Sequence, residues 1–147
     1  MNKSISTVEL VWNTTNISIS KMFKDCSDII EIDLKKFDFS KVTDMSSMFK
    51  GCSSLSFLNL SKIDTSNIEN MESAFNGCSS LKSLDLSNFD TSKVTDMISI
   101  FEGCSSLISL DLNNFDTTKL SLMRSMFSGC SSLKSLNLTN FNTKKLV

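Results

Sequence analysis

Residues 81–106 read LKSLDLSNFDTSKVTDMISIFEGCSS, and the same pattern returns every 26 residues along the chain. Five phenylalanines keep this interval without a slip: Phe23, Phe49, Phe75, Phe101 and Phe127. All five cysteines keep it as well: Cys26, Cys52, Cys78, Cys104 and Cys130. A fixed period of this length predicts a solenoid, in which each coil buries its apolar side chains only against neighbouring coils.

The repeat predicts one solenoid domain with two irregular ends. Residues 29–147 hold four full coils, 29–54, 55–80, 81–106 and 107–132, and a partial fifth, 133–147. Residues 1–28 match the pattern weakly, and we expect them to form a divergent capping repeat in which Trp12 covers the open end of the first coil. The chain stops at Leu146 and Val147, so we expect a fragment of a longer array, or an uncapped coil that associates end to end with another chain.

Each coil is predicted to contain a short strand and a short helix. Apolar residues alternate with period 2 at the end of the segment Leu81–Leu86, and stacking such strands gives a parallel sheet. The apolar residues of the segment Val94–Phe101 lie three and four positions apart, which is typical of a helix. Gly103 follows where a left-handed residue would end that helix. We therefore expect an α/β solenoid with the sheet on its concave side and short helices on its convex side.

The composition excludes several classes of function. The 147 residues carry 15 Lys and Arg against 16 Asp and Glu, without the basic patch that nucleic-acid binding needs. No apolar run approaches the roughly 20 residues that cross a bilayer, so we expect no membrane insertion. The chain has no histidine, which removes imidazole as a base or metal ligand. We expect no enzyme activity, no cofactor and no metal site.

The cysteine column carries the most reactive side chains of the sequence. Its spacing lacks the local pairs that are typical of zinc ligands. Neighbouring coils would place the backbones of adjacent cysteines about 4.8 Å apart, a distance at which a disulfide is possible. Because each cysteine lies three residues before an inward leucine, we predict buried, reduced thiols that pack as apolar fillers. Nucleophilic catalysis by a thiolate is not expected without a base.

Two outward columns of the predicted strands form the candidate binding face. This candidate face consists of Glu31, Asp33, Phe57, Asn59, Ser83, Asp85, Ser109, Asp111, Ser135 and Asn137. A concave surface for a protein ligand, with Phe57 as an apolar anchor in a column of polar residues, is one interpretation of this face. A hydrated polar face without function is the alternative, and calcium on the aspartates is a third interpretation.

Asp and Thr recur at the bend that follows each strand, as at Asp90 and Thr91. Their side chains bond readily to nearby backbone groups, so we expect them to make turns. A regular array of exposed threonines that orders water is the alternative, which a following helix disfavours. The phenylalanine and methionine columns are predicted to be core.

The strings MFKGCSSLSFLNLS, residues 48–61, and FDTSKVTDM, residues 89–97, resemble the 26-residue repeat of bacterial surface proteins. That group is related to the BspA-like leucine-rich repeats of bacteria and parasitic protists and to mycoplasma surface lipoproteins. The resemblance covers residues 17–147. It implies a right-handed leucine-rich-repeat solenoid at the cell surface that binds proteins or adheres to host, matrix or microbial components without catalysis.

Three functions stay open at this point. The first is protein binding or adhesion through the candidate face, which substitutions at Phe57 and Asp85 would weaken. The second is a structural spacer or self-assembling stalk, which would respond to changes at Leu146 or in coil number. The third is an intracellular protein-interaction scaffold, since residues 1–10 lack the apolar segment of a secretory signal.

Overall fold

A computed structural model describes residues 17–142 of the chain. Within this range six short strands occur: β1 (Ile17–Ser18), β2 (Glu31–Asp33), β3 (Val42–Asp44), β4 (Phe57–Asn59), β5 (Ser109–Asp111) and β6 (Ser135–Asn137). All three strand pairs are parallel: β1 with β3, β2 with β4, and β5 with β6. The predictions for Trp12, Leu146 and Val147 fall outside the described residues.

The strands that follow the leucine pattern stack with the 26-residue offset. Ile32 lies beside Leu58 in the β2–β4 pair, and Leu110 lies beside Leu136 in the β5–β6 pair. These central side chains face the core, because successive residues of a strand point to opposite faces. The parallel pairing predicted from the period is therefore present, and its register is that of the repeat.

The sheet is interrupted at the third coil. Residues 83–85 form no strand, although Leu84 is buried like its equivalents in other coils. At this place the side-chain amide of Asn88 bonds to the carbonyl oxygens of Leu60 and Ile63 in the coil before, each at 3.1 Å. Asn114 makes the same pair of bonds to the third coil. Side-chain amides thus bridge the two junctions at which the strand ladder is missing.

The predicted convex helix is wrong for the described residues, which contain no helix. The segment is a run of turns, in which the N–H of Met48 bonds to the carbonyl of Met45 at 3.2 Å. Alternate N–H groups donate to carbonyl oxygens of the next coil instead: Ser47 donates to Glu72, and Phe49 donates to Ala74. A helix needs those N–H groups for its own carbonyls four residues back. No helix that could cross a membrane is therefore found between residues 17 and 142.

Left-handed residues fix this run of turns in every coil. Serines at equivalent positions have φ between 54° and 58°: Ser47, Ser73, Ser99 and Ser125. Gly103, with φ of 72°, provides the second left-handed position, which ends a turn rather than a helix. In the first described coil Asp25 takes the glycine position with φ of 61°, as the alignment of the repeats predicts.

The core is a column of phenylalanine rings that runs from coil to coil. The rings of Phe49 and Phe75 lie 5.6 Å apart and nearly parallel, and those of Phe75 and Phe101 lie 5.7 Å apart. Phe23 and Phe127 continue this phenylalanine ladder at its two ends. The inner rings are fully buried, so the predicted phenylalanine spine is confirmed.

Candidate functional site

The ten residues of the candidate face occupy equivalent positions in five successive coils. In the two strand pairs Glu31 lies beside Phe57 and Asp111 lies beside Asn137. Ser83 and Asp85 flank the buried Leu84 and are exposed, as their equivalents in β2 and β5 are. The columns predicted to point outward are thus exposed, apart from Asn59 and Asn137, which are half-buried.

The Asp and Asn column of this face has a structural role that the sequence analysis missed. Oδ1 of Asp85 accepts a hydrogen bond from the N–H of Ser87 at 3.0 Å, and Oδ1 of Asp111 accepts one from the N–H of Asn113 at 2.9 Å. Hydrogen bonds from Ser87 hold the pKa of Asp85 below its ordinary value. The column therefore bends the chain after each strand position, as Asx turns do, and Asp85 keeps its charge.

Two further Asx turns complete the third coil. Oδ1 of Asp90 accepts from the N–H of Ser92 at 2.9 Å, and Oδ1 of Asp96 accepts from the N–H of Ile98 at 2.8 Å. The turn-making role predicted for the Asp90 position is therefore confirmed. The pattern of an Asp or Asn two residues before the bonded N–H could have revealed all three bends in the sequence.

The threonines beside the Asp90 column are buried, so an exposed threonine array is wrong for the described residues. Thr65, Thr91 and Thr117 each have 2% or less of their surface exposed. The hydroxyl of Thr91 donates to the carbonyl oxygen of Asp116 in the next coil at 3.1 Å. These hydroxyls join coils, because a buried hydroxyl must find a hydrogen-bond partner.

Exposed apolar side chains concentrate beside the strands. Four large apolar residues of the described chain are exposed: Ile30 (55%), Phe57 (51%), Ile108 (45%) and Leu122 (41%). The first three lie in or next to the strands of the candidate face, and Leu122 lies at a different bend of its coil. Ile30 and Ile108 share a repeat position with Ser56, Lys82 and Lys134, so the comparison that identified Phe57 could have found them too.

The inner members of the cysteine column lie in the core. All five thiols are free; those of Cys52, Cys78 and Cys104 are buried, as predicted, whereas Cys26 and Cys130 are half-buried. The thiol of Cys78 donates to the carbonyl oxygen of Phe49 at 3.2 Å, and the other coils repeat this bond. Burial raises the pKa of Cys52 to about 11 and that of Cys104 to about 12. No group of His, Cys, Asp or Glu within residues 17–142 is arranged to hold a metal ion.

Stacked 26-residue coils, with a leucine-patterned strand and a phenylalanine column in each, define a leucine-rich-repeat solenoid. The chain belongs to the family described as Mycoplasma protein of unknown function, DUF285, whose model matches residues 1–84 and 53–147. The resemblance to mycoplasma and bacterial surface repeats is thereby confirmed. No curated protein sequence matches the chain.

Two solved structures share the fold. A leucine rich cell surface protein of Faecalibacterium prausnitzii A2-165 is 21% identical, with a TM-score of 0.58 over 91% of this chain and 32% of its own. The leucine rich repeat protein of T. pallidum is 19% identical, with a TM-score of 0.52 over 86% of this chain and 63% of its own. The chain thus spans about a third of the first relative and under two thirds of the second.

Proposed function

We propose that this chain is a non-enzymatic protein-binding module, displayed at the cell surface, whose candidate face adheres to host or matrix proteins. The concentration of exposed apolar side chains beside the strands carries this proposal. An apolar group left in water gains free energy when a partner covers it, and a few such anchors supply most of the affinity of an interface.

Two further observations support the proposal that the module is non-enzymatic and that it lies at the cell surface. The chain has no histidine, and thiols whose pKa is about 11 or 12 are protonated at neutral pH and therefore poor nucleophiles. For the location, the structural relative from Faecalibacterium prausnitzii is described as a cell surface protein.

A binding assay with matched variants tests the proposal. The purified chain is applied to a panel of immobilised matrix proteins and to cultured host cells. Phe57→Ser introduces the residue that later coils carry at this position and should weaken saturable binding about tenfold. Leu122→Ser removes a comparably exposed apolar side chain away from the candidate face and should leave binding unchanged.

Charge on the candidate face is tested separately. Asp85→Asn removes the carboxylate but keeps an oxygen that can accept from the N–H of Ser87, so the turn should survive.

Saturable binding that Phe57→Ser leaves intact would place the site elsewhere. No saturable binding to any panel member would favour the spacer, and sedimentation of the same samples would show whether the chains associate end to end.

A further inference from the structure

A shallow groove of about 440 Å³ crosses the first three coils next to the strands. Asp28 and Ile30 line it just before β2, and Lys82 lines it two coils further on. Four serines also line it: Ser54, Ser56, Ser80 and Ser106. The groove therefore runs across the coils, from an acidic and apolar end to a basic one.

The apolar end of the groove joins the candidate face. The carbonyl oxygen of Ile30 accepts hydrogen bonds from the N–H groups of both Ser56 and Phe57, at 2.8 and 3.2 Å. Ile30 and Phe57 thus lie side by side across one coil junction, and both are half exposed. Two exposed apolar residues therefore lie in neighbouring coils at this end of the groove.

The charges at the two ends are available to a partner. Asp28 and Glu31 flank Ile30 in the sequence, and both are exposed. Neither of them forms an ion pair within residues 17–142, and Lys82 forms none there either. A partner that carries the opposite charges in matching order would complement both ends of the groove.

The spacing of the two ends sets the length of the partner segment. Ile30 and Lys82 hold the same repeat position two coils apart, which is about 10 Å at the usual spacing of neighbouring strands. An extended chain advances about 3.3 Å per residue, so about three residues cover that distance.

We propose that this groove binds an extended protein segment in which a basic residue adjoins an apolar residue and an acidic residue follows three positions beyond. The basic side chain meets Asp28 and Glu31, the apolar one covers Ile30 and Phe57, and the acidic one reaches Lys82. This inference rests on the proposed function, because it names the chemistry of the partner for the same face.

A random peptide library on beads tests the order of charges in the bound segment. The library is offered to two forms of the protein. The wild-type chain should enrich peptides with the basic–apolar–x–x–acidic order in either chain direction. A variant with Asp28→Ser, Glu31→Lys and Lys82→Glu should instead enrich peptides with the acidic–apolar–x–x–basic order, again in either chain direction. The same enrichment from both forms, or no charge order for the wild type, would overturn the inference.

Affinities for one enriched peptide, synthesised free, provide the second measurement. Phe57→Ser should weaken binding about tenfold, and Glu31→Lys should weaken it about fivefold at low salt, where exposed charges are least screened. Leu122→Ser serves as the matched control and should bind as the wild type does. Circular dichroism confirms that each variant is folded.

The two proposals fail in different ways. Binding to host or matrix proteins that depends on Phe57, together with a library without charge order, supports the proposed function and overturns this inference. A charge-ordered library without any binding to the panel supports the groove and overturns adhesion to those surfaces.

Discussion

The hydroxyl of Thr65 donates a hydrogen bond to the carbonyl oxygen of Asp90 at 3.1 Å and accepts one from the N–H of the same residue at 2.8 Å. Thr117, two repeats further along the chain, makes the same two bonds with Asn142. A single buried side chain thereby satisfies both backbone groups of a residue in the next coil. Because these bonds cross a coil junction, they stabilise the stack rather than the coil alone.

Thr65→Val should lower the free energy of unfolding by about 2 kcal/mol, because it leaves both backbone groups of Asp90 without a partner inside the protein. Valine has nearly the shape of threonine, so packing is retained. Thr65→Ser is the matched control, since it keeps the hydroxyl and loses one methyl group, at about 0.8 kcal/mol. Urea unfolding measures both, and a valine variant as stable as the serine variant would contradict this role.

Phe75→Ala should lower the free energy of unfolding by about 3–5 kcal/mol, because the ring is fully buried and stacks on both neighbours. Phe127→Ala should cost clearly less, since that half-buried ring stacks only on Phe101 within the described residues. Urea unfolding of the two variants gives the comparison. Equal losses would mean that the inner rings gain nothing from their position in the ladder.

The period alone was enough to predict which side chains stack. A constant interval of 26 residues places Phe49 on Phe75 and Cys52 near Cys78, whatever the coil looks like in detail. The helix could not be excluded in the same way, because the spacing of Val94, Met97 and Ile100 fits both a helix and successive turns. Whether a helix or a run of turns forms depends on whether the N–H groups bond within the coil or to the next coil.

The threonines of the bends were predicted least well, for a related reason. Thr65 was expected to bond to nearby backbone groups of its own turn, yet its partner lies 25 residues away in the next coil. Phe57 was found because it departs from its column. Ile30 and Ile108 depart from the Ser and Lys residues of their own column, and a systematic search for such departures would have found them too.

Alkaline pH should destabilise this protein through its cysteines. In the unfolded chain a thiol loses its proton near pH 8.5, whereas Cys52 and Cys104 keep theirs until about pH 11 and 12. The folded state thus binds more protons above pH 8.5, so the free energy of unfolding should fall as the pH rises from there to about 12. Urea unfolding at a series of pH values measures the decline.

The control for this pH effect removes the buried thiols. A variant with Cys52→Ala, Cys78→Ala and Cys104→Ala is expected to be less stable at pH 7, because each alanine leaves a small cavity. Its free energy of unfolding should nevertheless decline less steeply above pH 8.5 than that of the wild type. Parallel declines in the two proteins would show that groups other than these thiols cause the alkaline effect.

Amide exchange should reveal the interruption of the sheet in the third coil. Ser99 and Phe101 donate their N–H groups to the next coil at 2.9 and 3.1 Å, whereas within the described structure Leu84 donates to no acceptor. The amide of Leu84 should therefore exchange roughly tenfold or more faster than those of Ser99 and Phe101, although its side chain is buried. Equal protection by hydrogen-exchange NMR would mean that the strand ladder continues through this coil.

Leu122 occupies a bend at which the preceding coils place Asp44, Asn70 and Asp96. In those coils Oδ1 accepts from the N–H two residues later, as Asn70 does from Glu72 at 2.9 Å. Leu122→Asn should restore this Asx turn for the N–H of Arg124 and remove an exposed apolar side chain, raising the free energy of unfolding by about 0.5–1 kcal/mol. Leu122→Ala, which removes the apolar side chain without supplying an acceptor, separates the two effects. Urea unfolding in which both variants match the wild type would show that this bend does not need the side-chain bond.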